Sequence, residues 1–183
     1  MRVRLLKDEY KDKLSLEWRS FLLRPQASDR PLEKFKRYTQ SWLKVAADEP
    51  AGEFRPWSSD EPAPSHSTPP HLVAKAAAEL GEEEFERIHD ALLKAYFYDN
   101  RDVSNDQTLR EIWDACGLDA AEFERSRKPE FMKRVIDEHN EALMCGASGA
   151  PAFRMSHQDV AIVGAHPVET LQRWINRVLD DRV

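Results

Sequence analysis

One segment of this sequence places a proline where a strand should begin, directly after a glycine-rich turn. The segment Gly146-Ala147-Ser148-Gly149-Ala150-Pro151-Ala152-Phe153 leads from a helix into a short apolar run. This setting favours a cis peptide bond, because cis bonds in proteins occur almost entirely before proline in tight turns. The alternative is an ordinary turn into an edge strand.

The sequence contains two cysteines, Cys116 and Cys145, which are too far apart to form a Cys-x-x-Cys motif. Two cysteines cannot supply the four ligands of a structural zinc site, and a reducing compartment favours free thiols. Cys116 lies on an apolar helix face and is predicted to fill the core. Cys145 could be a resolving or regulatory thiol. We interpret it as a small, partly buried side chain, because a helix C-terminus disfavours a thiolate.

The histidines do not predict a metal site. His66 and His71 lie five residues apart across a pair of prolines, and His139 is distant in the sequence. A metal ion would need three or four ligands that converge. No metal is therefore expected.

Composition excludes several classes of protein. The 183 residues carry a formal net charge of −6, with 33% charged and 41% hydrophobic residues, which is typical of a globular protein. The basic residues are scattered, which disfavours nucleic-acid binding. No run of about 18 apolar residues could span a membrane. The first ten residues become acidic too early for a secretory signal, so a cytoplasmic location is predicted.

Apolar spacing predicts mostly helices, with strands near the two ends of the chain. Alternating apolar residues at 14–22 predict a half-buried strand, and apolar runs predict two more at 152–155 and 159–163. Ser104 and Gln107 form a predicted capping box. Residues 49–70 are predicted to form a long loop in which Trp57 serves as a lid or as an anchor. Helical spacing predicts helices over 2–10, 31–45, 68–80, 82–98, 104–116, 129–145 and 167–178, with a short one after Asp119.

Three segments together resemble the DsbA-like thioredoxin superfamily, in particular its FrnE branch. This branch is related to 2-hydroxychromene-2-carboxylate isomerases and kappa-class glutathione transferases. Residues 16–25 resemble the second core strand, residues 95–119 resemble the insertion helices, and residues 141–153 resemble the helix exit and cis-proline strand. The resemblance implies an α/β fold, a thioredoxin-like sheet with a large all-helical insertion. The core would comprise residues 1–30 and 147–183, and the insertion residues 31–146.

The resemblance also implies a first core strand and a Cys-x-x-Cys that these residues lack. In the isomerases a serine replaces the dithiol. We expect a sequence truncated at its N-terminus by roughly 20 residues, through a start codon assigned too late or an evolved loss. Residues 14–23 and 152–155 would then flank an empty lane, roughly 9–10 Å apart. The chain alone would be unstable or prone to aggregate.

The resemblance implies a thiol–disulfide oxidoreductase that is catalytically incomplete in the residues given. No catalytic residue is assignable. Ala150 and Pro151 would bind substrate, and His71 is a further contact because its helix start resembles a segment that lines the family's cleft. No cofactor is expected, although glutathione could be a co-substrate. The partners would be protein or small-molecule thiols and disulfides. The alternatives are a glutathione-dependent isomerase or transferase, and a non-catalytic binding module that uses the cis-proline groove.

Overall fold

Helices dominate the structure, a computed structural model that describes residues 2–48 and 54–180. Residues 49–53 of the predicted loop lie outside the described residues. The strands are Ala152–Phe153 (β1) and Ile162–Val163 (β2). Short 3-10 helices occupy Lys11–Lys13 and Glu124–Arg127. The α-helices are Arg2–Tyr10 (α1), Leu32–Thr39 (α2), Trp42–Asp48 (α3), Thr68–Leu80 (α4), Glu82–Phe97 (α5), Asp106–Ala115 (α6), Ala120–Phe123 (α7), Pro129–Met144 (α8) and Val168–Asp180 (α9).

Contacts between residues divide the chain into two units. Met1–Phe21 and His139–Val183 form one, here called the terminal unit, and Leu22–Glu138 form the other, the helical unit. The division falls inside α8, so a single helix contributes residues to both units. The domain limits predicted at 30/31 and 146/147 stay predictions, because a division by contacts does not delimit segments that fold separately.

The described residues contain one sheet, made of β1 and β2 only. These strands are antiparallel, with Ala152 opposite Val163 and Phe153 opposite Ile162, and both are shorter than predicted.

The strand predicted over residues 14–22 is wrong. Leu14 and Leu16 are half-buried between exposed neighbours and Ser20 is buried, but Trp18 is exposed, so the alternation of covered and exposed sides is only partial. A strand also needs a ladder of backbone hydrogen bonds, and no ladder joins this segment to β1 or β2. The expected empty lane between residues 14–23 and 152–155 stays a prediction, because a segment beside a missing strand would also lack a ladder.

Helices α1 and α9 form the core of the terminal unit. Leu6 and Tyr10 of α1 pack with Leu171 and Ile175 of α9, and Phe153 of β1 borders this cluster. The Tyr10 hydroxyl donates to Asn176 Oδ1 at 2.9 Å. Burial raises the pKa of Tyr10, helped by the charge of Glu9 and opposed by the Asn176 hydrogen bond. The first and last helices thus cover one another and support the sheet.

Helices α4, α5 and α6 form the main core of the helical unit. Ala77, Ile88 and Trp113 are completely enclosed there. The Trp113 indole N–H donates to the Asp119 carbonyl at 2.9 Å, which satisfies the one polar atom of this side chain.

Two predictions about helix ends require correction. Asn105 caps α6, since its side chain accepts hydrogen bonds from the backbone N–H groups of Gln107 and Thr108. The predicted cap residue, Ser104, instead donates from its hydroxyl to Asp102 Oδ1 at 2.6 Å. Adjacent short polar residues compete for this position, and apolar spacing does not decide between them.

The single helix predicted over residues 31–45 is divided into α2 and α3. The hydroxyls of Thr39 and Ser41 donate to the carbonyls of Lys36 and Tyr38, at 2.9 and 2.8 Å. Side-chain hydrogen bonds to the preceding turn compete with the helical pattern, which accounts for the break at Gln40 and Ser41.

Trp57 anchors the predicted loop to the helical unit and does not act as a lid. It is only 2% exposed, and its ring lies 5.0 Å from that of Phe35. Its backbone N–H donates to Thr39 Oγ1 at 2.8 Å, and its indole N–H donates to the Glu61 carbonyl at 3.3 Å. Residues 54–67 therefore form an ordered segment without helix or strand.

A buried ion pair joins α4 to α8 inside the helical unit. Lys75 Nζ lies 2.6 Å from Glu138 Oε2, and the two side chains are only 6% and 4% exposed. Arg134 Nε lies 3.2 Å from the other carboxylate oxygen of Glu138. Removal of one member of such a pair leaves a buried charge without its main partner, whereas joint replacement by apolar residues removes both charges.

We expect Glu138→Leu to lower the free energy of unfolding by about 3–5 kcal/mol, because Lys75 is left buried without its carboxylate. The double variant Lys75→Met/Glu138→Leu should lose less than this single variant. Urea denaturation measures both. Lys133→Met, which breaks the exposed pair with Asp137 on the same helix, is the control and should change stability little. A double variant less stable than Glu138→Leu would contradict the interpretation.

Candidate functional site

The loop that leads to Pro151 begins at a tightly capped helix end. Gly146 adopts a left-handed conformation with φ +82°, which favours glycine. Its N–H donates to Leu143 O at 3.0 Å, and the N–H of Ala147 donates to Ala142 O at 2.9 Å. These two bonds form a Schellman motif that ends α8 and turns the chain away from the helix axis.

Backbone hydrogen bonds from either side of β2 hold the two ends of this loop. Ala161 N–H donates to Cys145 O at 2.8 Å, and Gly164 N–H donates to Pro151 O at 2.9 Å. The peptide bond between Ala150 and Pro151 is cis. The loop over residues 145–151, here called the Pro151 loop, is thus fixed at both ends.

Ala150 lies in the exposed part of the Pro151 loop. Ala150, Pro151 and Ala152 all face solvent. In the described part of the chain, no hydrogen bond occupies the backbone N–H or C=O of Ala150. An exposed donor and acceptor beside a short strand can pair with the backbone of an extended ligand, as in strand addition to a sheet edge.

Cys145 lies at the start of the Pro151 loop, in contact with a cation. Arg154 Nη1 lies 3.3 Å from the Cys145 sulfur, and Arg154 Nη2 donates to Glu141 Oε1 at 2.7 Å. Arg19 Nη1 lies 3.5 Å from the other carboxylate oxygen of Glu141. Sequence reasoning missed Arg154, because only the return of the chain through the Pro151 loop brings it back to Cys145.

Cys116 is placed where a thiol reacts poorly. It caps the C-terminus of α6, is half-buried, and points its sulfur at the Arg87 carbonyl, 3.7 Å away. Burial raises the pKa of the Cys116 thiol, an effect that the charge of Arg87 only partly opposes. Both cysteines are free thiols that lie at helix C-termini, where the helix dipole disfavours a thiolate.

His71 lies in the first turns of α4 and is half-buried. It belongs to the helical unit, whereas Ala150 and Pro151 belong to the terminal unit. The proposed role of His71 as a substrate contact therefore stays a prediction. In residues 2–48 and 54–180, no group of three or more His, Cys, Asp or Glu side chains could hold a metal ion.

Comparison with family models decides the family. Residues 1–176 match the model for a DSBA-like thioredoxin domain. The chain belongs to the DSBA-like thioredoxin family. The predicted thioredoxin-like fold with a helical insertion is thereby confirmed, while assignment to the FrnE branch is finer than this match.

Solved structures share the fold of this DSBA-like chain at low sequence identity. A "putative protein disulfide isomerase from Nitrosomonas europaea" gives a TM-score of 0.82 at 16% identity, over 100% of this chain and 90% of its own. The cytosolic disulfide reductase DsbM from Pseudomonas aeruginosa gives 0.70 at 16% identity, over 98% and 85%. DsbM with GSH gives 0.73 at 16% identity, over 100% and 91%.

Two further observations concern curated relatives and the membrane. No curated protein matches the sequence. Within the described ranges, each helix is too short or too polar to cross a lipid bilayer.

The thiol of Cys116 should react slowly in this DSBA-like protein. In the variant Cys145→Ala, we expect alkylation by iodoacetamide at pH 8 to be slower in the native state than in urea. The raised pKa leaves less thiolate at that pH, so the native rate should keep increasing above the usual thiol pKa. Mass spectrometry of quenched samples measures both rates. Equal native and unfolded rates would show that burial does not control this thiol.

Proposed function

We propose that the chain provides the substrate-binding part of a thiol–disulfide oxidoreductase of the DSBA-like family. One observation carries this proposal: the exposed Ala150, just before β1, presents a backbone N–H and C=O that form no hydrogen bond with the described residues. Membership of the family supports the type of reaction. Ala150 would pair with the backbone that flanks the reacting sulfur of the substrate, and Pro151 would border the same site.

Exchange requires a thiolate that attacks one sulfur of the substrate disulfide and releases the other as a thiol. A second thiol then resolves the mixed disulfide, which leaves the enzyme oxidised until two glutathione molecules reduce it and leave as glutathione disulfide. Cys116 and Cys145 lie in different units at helix C-termini, and we assign neither to this step. The finer proposal is FrnE-type chemistry, in which the two thiols of a Cys-x-x-Cys perform these steps; the 183 residues contain no such motif.

The proposed substrates are protein disulfides and small thiols, with glutathione as the co-substrate and no resident cofactor. The neighbour described as DsbM with GSH supports glutathione, and the neighbour described as a cytosolic disulfide reductase supports a cytoplasmic location. His71 is retained in this proposal as a substrate contact, because its helix start resembles the family's cleft segment.

Binding at Ala150 can be tested by NMR. We expect the backbone amide resonance of Ala150 to shift on titration with glutathione disulfide, because the residue is exposed and its N–H forms no hydrogen bond within the described residues. The Ala161 amide is the internal control, since it already donates to Cys145 O and should shift little. A titration that moves Ala161 and leaves Ala150 unchanged would overturn the proposed binding site.

Activity can be tested by reduction of insulin with glutathione, using the complete gene product. We expect turnover, and we expect Cys116→Ala/Cys145→Ala to retain most of it, because neither thiol is placed for exchange. Loss of turnover in the double variant would contradict that assignment, provided that its melting temperature is unchanged. Absence of insulin reduction by the wild type, together with a shifted Ala150 resonance, would favour a non-catalytic binding module.

A further inference from the structure

Two arginines of the helical unit are fixed beside consecutive carbonyls of one loop. Arg24 Nε donates to Ser65 O at 3.3 Å, and Arg30 Nη1 donates to Pro64 O at 3.3 Å. Arg24 also donates to the hydroxyl of Ser28. Both arginines are half-buried, so their side chains are partly removed from water.

Both guanidinium groups also act on one phenol. Burial raises the pKa of Tyr96, and the charges of Arg30 and Arg24 oppose this effect, together with a hydrogen bond from Arg30. The Cζ atom of Arg30 lies 3.9 Å above the centre of the Phe35 ring, and the rings of Phe35 and Tyr96 are 6.4 Å apart. Two cations and a hydroxyl thus share one small region, here called the Arg24/Arg30 cluster (Arg24, Arg30, Tyr96, Pro64 and Ser65).

Neither arginine has a carboxylate partner in the described residues. Two carboxylates close to this loop accept from other donors: Glu61 Oε2 accepts from Asp102 N at 2.8 Å, and Asp102 Oδ1 accepts from Ser104 N and Oγ at 2.8 and 2.6 Å. Asp60 pairs with Lys36 at 3.2 Å. Eight other arginines form ion pairs within 4 Å, whereas Arg37 and Arg55 also form none with the described residues. The eight are Arg19, Arg87, Arg101, Arg110, Arg125, Arg127, Arg134 and Arg154.

Partly buried like charges at close range are unfavourable unless an anion compensates them. The chain itself carries a net charge of −6, so acidic residues are abundant, yet none pairs with these two arginines in the described ranges. This arrangement is typical of a site whose counter-charge is supplied by a ligand.

The cluster is also prearranged. Ser67 holds the backbone of Arg24 from both sides, because its hydroxyl accepts from Arg24 N at 3.1 Å and its N–H donates to Arg24 O at 2.9 Å. The stacking of Arg30 on the buried Phe35 restricts the second guanidinium. Binding to groups that are already ordered loses less conformational entropy.

We propose that the Arg24/Arg30 cluster is a binding site for a small oxyanion, the carboxylate or phosphate group of a metabolite. Guanidinium groups match both anions through paired N–H donors, and the Tyr96 hydroxyl provides another donor. The site lies entirely within the helical unit. Anion binding there requires no thiol chemistry, so the test of this site can fail without affecting the proposed exchange activity, and the reverse also holds.

Titration of the full chain with inorganic phosphate and with succinate, at ionic strength held constant with sodium chloride, tests the site. Isothermal calorimetry gives the affinities, and the Nε–H resonances of Arg24 and Arg30 report the location. We expect at least one anion to bind and to shift both resonances. Tighter binding of phosphate would identify a phosphate ligand, and tighter binding of succinate a carboxylate ligand.

Substitutions separate a specific site from general attraction to positive charge. Arg24→Gln and Arg30→Gln should each weaken binding about tenfold, because charge-assisted hydrogen bonds are lost. Arg37→Gln removes the same charge from an exposed position of α2 and should change the affinity less than twofold. If Arg30→Gln does not fold, Arg30→Lys keeps the charge without the paired donors and should still weaken binding.

Two results would overturn the proposal. The first is a wild type that binds neither anion beyond the chloride control. The second is an Arg37→Gln variant that loses as much affinity as the cluster variants, since this would show that the anion responds only to net charge.

Discussion

Two backbone hydrogen bonds, Ala161 N to Cys145 O and Gly164 N to Pro151 O, determine the geometry of the candidate substrate site. They hold both ends of the Pro151 loop on β2, so the loop does not need internal hydrogen bonds to keep its shape. The backbone of Ala150 can therefore stay exposed at a fixed position. Since β2 has only two residues, its own position depends on the helices that pack against the sheet. The contact between α1 and α9, through Leu6, Tyr10, Leu171 and Ile175, supplies that support.

In the helical unit, most charged side chains of the interior and the helix surfaces have partners of opposite charge. Glu138 and Lys75 neutralise one another in the interior, and most of the arginines around the helices have carboxylate neighbours. The Arg24/Arg30 cluster differs in that two arginines beside the same loop have no carboxylate partner among the described residues. The net charge of the chain therefore does not show which arginines have a carboxylate nearby and which do not.

Much of the fold could be predicted from the sequence, because apolar periodicity reports directly which face of a helix is covered. Apolar alternation gave a wrong prediction at residues 14–22. It indicates which side chains are covered, but it cannot show whether another strand lies close enough to form backbone hydrogen bonds with the segment. Ser104 and Asn105 show a second limit, since two adjacent residues with similar capping preference differ only in their hydrogen bonds. Local sequence predicted the turn into a strand at Pro151, while the role of Ala150 and Pro151 in substrate binding stays a prediction. Arg154 and the Arg24/Arg30 cluster could not be predicted, because each is defined by groups that meet only in the folded chain.

The burial of Trp57 links an irregular segment to the cooperativity of the helical unit. Ordering the backbone of a residue costs roughly 1–2 kcal/mol of conformational entropy, and residues 54–67 recover none of it through a helix or a sheet. The contacts of Trp57 with Phe35 and Thr39 offset that cost at one point. If the segment detached, the Trp57 indole would be exposed to water and Thr39 Oγ1 would lose the hydrogen bond from Trp57 N–H. Residues 54–67 and the helices they contact should therefore unfold together, although these residues have the composition of a flexible linker.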